Sequence, residues 1–197
     1  MTVFLCAKCG NTLTPDLRRL PAVPDVSTHD KDRDRKTGLA PSTVPPGHYA
    51  IDPEPWGAPF EPAGGGDGGG RGDEGGRGDE GGRGDEGGRG DGAGGGGGGG
   101  RVMDDRALLM PPGMDDMVSA GPRNTVIVHP DDTPDLRRTA VPAGHHGCCG
   151  PLGTGGRNMA CTCGTLIATL AADCMGPYEL HLDPLRVYGY DGAGLEG

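Results

Sequence analysis

Seven cysteines carry most of the chemistry available to this chain. Cys6-x-x-Cys9-Gly10 opens the sequence, and Cys161-x-Cys163-Gly164 lies near its other end. In a zinc knuckle one tight turn offers two thiolates, and the glycine after the second cysteine lets the backbone turn its amides toward the sulfurs. Two such turns supply the four thiolates of a closed tetrahedral site. Cys6, Cys9, Cys161 and Cys163 are therefore the expected ligands of one zinc ion, although the second pair is one residue shorter than the usual knuckle.

Three further cysteines leave alternatives open. Cys148-Cys149-Gly150 follows His145 and His146, and Cys174 comes last. Adjacent cysteines on an extended chain point in different directions, so one of Cys148 and Cys149 is expected to face a site while the other packs as a small apolar residue. A rival site confined to the C-terminal part would use Cys161, Cys163 and Cys174 with Cys148 or Cys149, His145 being a further candidate ligand. The thiols could also hold no metal and be buried or redox-active, which makes a redox or metal sensor the alternative reading. A third reading takes Cys148 or Cys149 as the nucleophile of an enzyme with His145 or His146 as base; the sequence identifies neither an oxyanion donor nor an orienting third group for it.

The elements that must position these residues are short. Thr2–Leu5 reads as a strand entering the first knuckle, and Thr165–Leu170 as one leaving the second. Thr125–Val128 and Tyr178–Asp183 read as further strands, the latter alternating Tyr178, Leu180 and Leu182 with Glu179, His181 and Asp183. Asp183-Pro184 offers a turn before Leu185–Tyr188. The hexapeptide Thr-Pro-Asp-Leu-Arg-Arg occurs twice, at residues 14–19 and 133–138, and its Thr, Pro and Asp suit the start of a helical turn. We read the repetition as shared capping chemistry rather than duplication. The charged run His29–Lys36 reads as a solvated loop, and residues 39–63, rich in proline around Tyr49, Trp56 and Phe60, as an extended arm. That arm is expected to fold back over the small sheet; presenting a contact segment is the other use it could have. His129 and His181 are expected to be ordinary polar-face residues.

Composition limits the rest. The chain has 42 glycines and 19 prolines in 197 residues, with only 4% aromatic residues. Residues 64–101 hold three copies of Gly-Gly-Arg-Gly-Asp-Glu and a run of glycines from Gly94 to Gly100. Ordering such a tract costs backbone entropy that absent side chains cannot return, so it is expected to be a disordered linker. The remainder, residues 1–63 and 102–197, is expected to be the two halves of one small mainly β, loop-rich domain needing a staple. Net charge is −10, and arginines cluster only at Arg18/Arg19 and Arg137/Arg138, which disfavours general nucleic-acid binding. No stretch approaches a membrane span in length, and the N-terminal residues lack the charged start of an export signal. A cytoplasmic protein without membrane association is the expectation.

The segments CAKCGNTLTPDL, GLAPSTVPPGHYAIDPEPWGAPF, NTVIVHPDD, GCCGPLGTGGRNMACTCGTLIATLAADC and GPYELHLDPLRVY together resemble a set of uncharacterised bacterial proteins with a split zinc-ribbon-like domain. The resemblance covers most of both ends and leaves out the glycine-rich tract. It implies a zinc-ribbon-like fold and a cytosolic setting, and it implies no activity. The reading that combines these points is a non-catalytic, structural zinc-binding module whose partner is another macromolecule, a protein being the candidate.

Overall fold

Alternating and fully apolar segments in the described residues pair into strands, with two 3-10 turns as the only helical elements among them. The computed structural model describes residues 1–26, 29–63, 111, 113–114, 116–141 and 145–191. They belong to one unit comprising Met1–Ala63 and Met103–Gly197. The expected linker, residues 64–101, lies outside the described residues, as does most of the Val102–Met117 segment.

The strands are β1 (Thr2–Cys6), β2 (Arg18–Arg19), β3 (His48–Asp52), β4 (Phe60–Pro62), β5 (Met117–Ser119), β6 (Thr125–Val128), β7 (Arg137–Arg138), β8 (Met159–Ala160), β9 (Leu166–Ala172), β10 (Tyr178–Leu182) and β11 (Val187–Asp191). Seven of them form one sheet in the order β2-β3-β6-β10-β9-β8-β7. Only β2 and β3 run parallel in it. β1 pairs with β11, Thr2 opposite Asp191 and Cys6 opposite Val187, and β4 pairs with β5. β1 does not lie beside the strand that leaves the second knuckle, because β9 already has β8 and β10 as its neighbours.

Period-two alternation decides what each face of the large sheet carries. The registers Leu180↔Val128, Leu180↔Leu170 and Leu182↔Val126 put Leu180, Leu182, Val126, Val128 and Leu170 on one face. Phe4, Cys6 and Val187 from the β1–β11 pair join the same buried cluster. Phe4 meets Tyr49 edge to face at 5.0 Å. The opposite face carries Glu179, His181, Thr125 and Thr169, and all four are buried. The arm covers them: Trp56 stacks on the His181 ring at 3.9 Å and 11°. His181 Nε2 lies 2.7 Å from Glu179 Oε2 and Nδ1 2.8 Å from Thr125 Oγ1, while the Thr43 hydroxyl donates to Glu179 Oε1. His181 is thus no solvent-facing residue, because a side chain on the polar face of β10 faces the arm rather than water. The arm's expected role as a cover is what its Trp56 performs.

Both copies of the repeated hexapeptide do the same thing, and it is not capping. Leu17 and Leu136 are buried in the large cluster, and the arginine pairs that follow are the two edge strands of the seven-stranded sheet. The helical turn expected at residues 14–19 is absent because its capping group is taken: the Thr14 hydroxyl accepts from the Phe4 N–H, and Leu17 exchanges both backbone bonds with Thr2. In the second copy Thr133 ends a 3-10 turn, Pro130–Asp132, that His129 caps. Exposed arginines on both edges leave little invitation for another sheet to add on. The charged run is also less detached than expected, since the Arg33 guanidinium donates to the Gly176 carbonyl at 3.3 Å.

Candidate metal centres

Each knuckle is a hairpin turn whose ladder forces two sulfurs onto one side. In the first, the Gly10 N–H donates to the Cys6 carbonyl and the Cys6 N–H to the Asn11 carbonyl. In the second, the Gly164 N–H donates to the Cys161 carbonyl and the Cys161 N–H to the Thr165 carbonyl. The missing residue of the second pair is absorbed by this tighter turn, so the shorter spacing still closes a hairpin. Gly10 and Gly164 have φ of 72° and 82°, the left-handed region where a side chain is strained, although no neighbour would obstruct a Cβ at either.

The two turns meet. Cys6 Sγ lies 3.9 Å from Cys163 Sγ and Cys9 Sγ lies 3.6 Å from Cys161 Sγ. All four sulfurs lie within 4.8 Å of one another. The Asn11 side chain donates to the Thr162 hydroxyl and ties one turn to the other. A zinc–sulfur bond of about 2.3 Å sets the edges of a tetrahedron of sulfurs at about 3.8 Å, between the two separations observed. Cys6 and Cys161 are buried, whereas Cys9 and Cys163 are exposed.

The backbone amide two residues past the second cysteine reaches the sulfur in both turns. At Cys163 the Thr165 hydroxyl and the Thr165 N–H lower the thiol, aided by Cys9 and Cys161 and opposed by burial, and bring it to about 6. At Cys9 the Asn11 N–H pulls down, but burial and the sulfurs of Cys163, Cys6 and Cys161 outweigh it and hold the thiol up at about 12. At neutral pH Cys163 is therefore the thiolate and Cys9 keeps its proton.

The remaining cysteines gather separately. Cys148, Cys149 and Cys174 have their sulfurs within 4.8 Å of one another. Cys148 Sγ is 3.6 Å from Cys149 Sγ and 2.9 Å from Cys174 Sγ. This corrects two expectations. Cys148 and Cys149 do not divide between a site and the core, because the chain bends at residues 148–150 instead of extending, and both are exposed. The rival C-terminal four-thiolate site is also overturned, since Cys161 and Cys163 stand with Cys6 and Cys9 and not with Cys174. His145 Nδ1 is 3.0 Å from the Thr154 hydroxyl and His146 Nδ1 2.8 Å from the Gly147 carbonyl, and neither histidine joins either cluster.

Asp173, buried beneath this second cluster, escaped notice in the sequence because nothing local marks an acid beside a cysteine as structural. Its carboxylate accepts from the N–H groups of Cys149, Gly150 and Met175 at 2.9, 3.2 and 3.0 Å. Burial raises this carboxyl, but those amides and that of Cys174 outweigh it and hold it below the usual range. Cys174 itself is pushed up to about 12 by the sulfurs of Cys148 and Cys149, by burial and by the Asp173 charge.

Two cysteine clusters able to chelate a metal ion, carried by a small mainly β unit, are therefore the chemistry of the described residues. No helix among them is long and apolar enough to cross a membrane. No family model, no curated protein and no solved structure matches the chain.

Proposed function

We propose that this protein is a non-catalytic module with a split zinc-ribbon-like core, stapled by one zinc ion on Cys6, Cys9, Cys161 and Cys163, and that it serves by binding another macromolecule, a protein. The observation that carries the staple is the arrangement of four sulfurs from two ends of the chain at separations of 3.6 and 3.9 Å, as tetrahedral thiolate ligation requires. A sparse core needs such a staple, and binding energy gained only in the folded state is folding energy. In this reading residues 64–101 form a linker whose length is lightly constrained, because closure entropy grows slowly with loop length. Neither ring nitrogen of His145 or His146 joins the Cys148, Cys149 and Cys174 sulfurs, which favours this reading over a Cys-His enzyme.

The test is metal content of full-length protein purified under reducing conditions without chelator. About one equivalent of tightly held zinc is expected, with a marked fall in thermal stability when a strong chelator removes it. Protein free of transition metal and indifferent to chelator refutes the staple.

A further inference from the structure

The second cluster has the ingredients of a site rather than of a chance gathering of thiols. Two glycines flank the adjacent cysteines, and both are pressed from below. A Cβ on Gly147 would lie 2.2 Å from Asp173 Oδ2, and one on Gly150 would lie 2.2 Å from the Ala172 carbonyl oxygen. The Gly-Cys-Cys-Gly loop can sit over Asp173 only because those positions lack side chains. Asp173, 2% exposed, then fixes the loop to the turn after β9 through the Cys149, Gly150 and Met175 amides. A third segment closes in: a Cβ on Gly38 would meet Cys174 Cβ at 3.1 Å, and Arg33 holds the Gly176 carbonyl of the same turn.

We propose that Cys148, Cys149 and Cys174 form a second metal site, open on one side, that takes a thiophilic divalent ion of the zinc group with three thiolates and leaves its fourth position to a solvent or small-molecule ligand. Among the described residues no fourth histidine, cysteine or carboxylate completes the group. Asp173 lies outside that group, and its oxygens are turned to backbone N–H groups. It positions the cysteine loops and supplies a negative charge 3.9 Å from Cys174 Sγ, which opposes the lone thiolate and draws a cation to the cluster. Closed four-ligand sites are structural, and sites with three protein ligands keep a position for exchange. The exposure of Cys148 and Cys149 gives an incoming ion direct access.

Binding is a coordination step: a divalent ion displaces the three thiol protons to solvent, and the sulfurs keep their oxidation state. Cys148 and Cys174 stand closer than the about 3.8 Å edge of a thiolate shell, so the ion parts them by about 1 Å. Cys148 can yield, since the Asp173 bonds grip Cys149 and Gly150 and leave its own amide out.

The proposal is independent of the four-thiol site. From Leu166 to Ala172, β9 separates the two clusters, and at about 3.3 Å per residue a seven-residue strand sets them roughly 20 Å apart, too far to share an ion. The experiment is an anaerobic titration of the reduced full chain with cadmium, following thiolate-to-metal charge-transfer absorption. The same titration is run on the Cys148→Ser/Cys149→Ser/Cys174→Ser variant after its thermal unfolding has shown that it folds. The variant is expected to bind one ion fewer than the parent. A parent that binds two ions against one supports both sites. A parent that binds one against none supports this site and refutes the four-thiol staple. Equal stoichiometry in the two proteins overturns the proposal. If the triple variant does not fold, Gly147→Ala, which pushes the loop off Asp173, replaces it and is expected to weaken cadmium binding at this site at least tenfold; unchanged affinity overturns the proposal equally.

Discussion

Replacing Cys161 by serine separates metal ligation from packing. Cys161 is 2% exposed and lies in the large apolar cluster, so the substitution has two costs. Burying a hydroxyl where a thiol stood costs about 1–3 kcal/mol, with or without metal. Losing one thiolate of four costs only where metal is bound. Structural zinc contributes about 10–16 kcal/mol in small zinc domains, and an even share for one ligand is about 3 kcal/mol. At about 1.4 kcal/mol per tenfold, that share corresponds to a loss of roughly a hundredfold in zinc affinity. The assay is urea unfolding of parent and variant at a buffered free zinc concentration and again in excess chelator, with zinc affinity measured by competition. With zinc both costs are expected, and with chelator only the packing cost. Equal destabilisation in the two arms, together with unchanged zinc affinity, refutes the reasoning, since Cys161 would then be a core residue and no ligand.

In metal-free protein the Cys163 thiol, brought from its ordinary 9.0 to about 6, is expected to alkylate with a midpoint near pH 6 while Cys9, held at about 12, stays unlabelled at neutral pH. The sign follows from the depressed value: the contribution of this thiolate to folding is complete above 9.0 and is lost as pH falls through about 6, so uniform labelling of both cysteines would contradict it. Asp173→Ala strands the buried amide of Gly150 and the partly buried amides of Cys149 and Met175, and is expected to cost about 3 kcal/mol in urea unfolding at neutral pH. The depressed Asp173 carboxyl gives stability that is present above its unfolded value and lost as pH falls through the folded one, so this deficit is expected to shrink in acid. Trp56→Ala uncovers the His181 ring and the Glu179 carboxylate behind it, and is expected to cost about 3–5 kcal/mol; a change within experimental error would show that the arm does not cover the sheet.

The parts of this structure legible in the sequence are those set by local pattern. Alternation in Tyr178–Leu182 and the β-branched run Thr125–Val128 gave strands, and glycine after each cysteine pair marked two turns able to present sulfurs. Illegible were the choices that depend on distant competitors. Thr14 has the chemistry of a helix cap, yet the Phe4 amide claimed its hydroxyl. β1 could have joined β9, but β9 was fully paired and β11 was not. The alternation in β10 separated apolar from polar side chains correctly while leaving unseen that the polar face is covered, because Trp56 arrives from a proline-rich segment without periodicity. Asp173 was illegible for the same reason, its partners being amides of a loop more than twenty residues away.

Placement of the two clusters at the ends of β9 gives them different work. The four-thiol cluster joins the β1–β11 pair, which carries Cys6, to the large sheet, whose β8–β9 hairpin carries Cys161 and Cys163. An ion there would have a buried ligand on each side, Cys6 and Cys161, and would add to the ties that the Thr2–Leu17 backbone bonds and the Phe4–Tyr49 contact already make. Removing such an ion is expected to weaken the whole core. The three-thiol cluster joins surface segments only, the Gly-Cys-Cys-Gly loop and the turn at Cys174, with the Arg33–Gly38 loop against it. An ion bound there is expected to exchange while the sheets stay paired, altering the surface and leaving the fold in place. If the proposed protein partner responds to metal, its affinity is expected to follow occupation of the three-thiol cluster more closely than that of the staple.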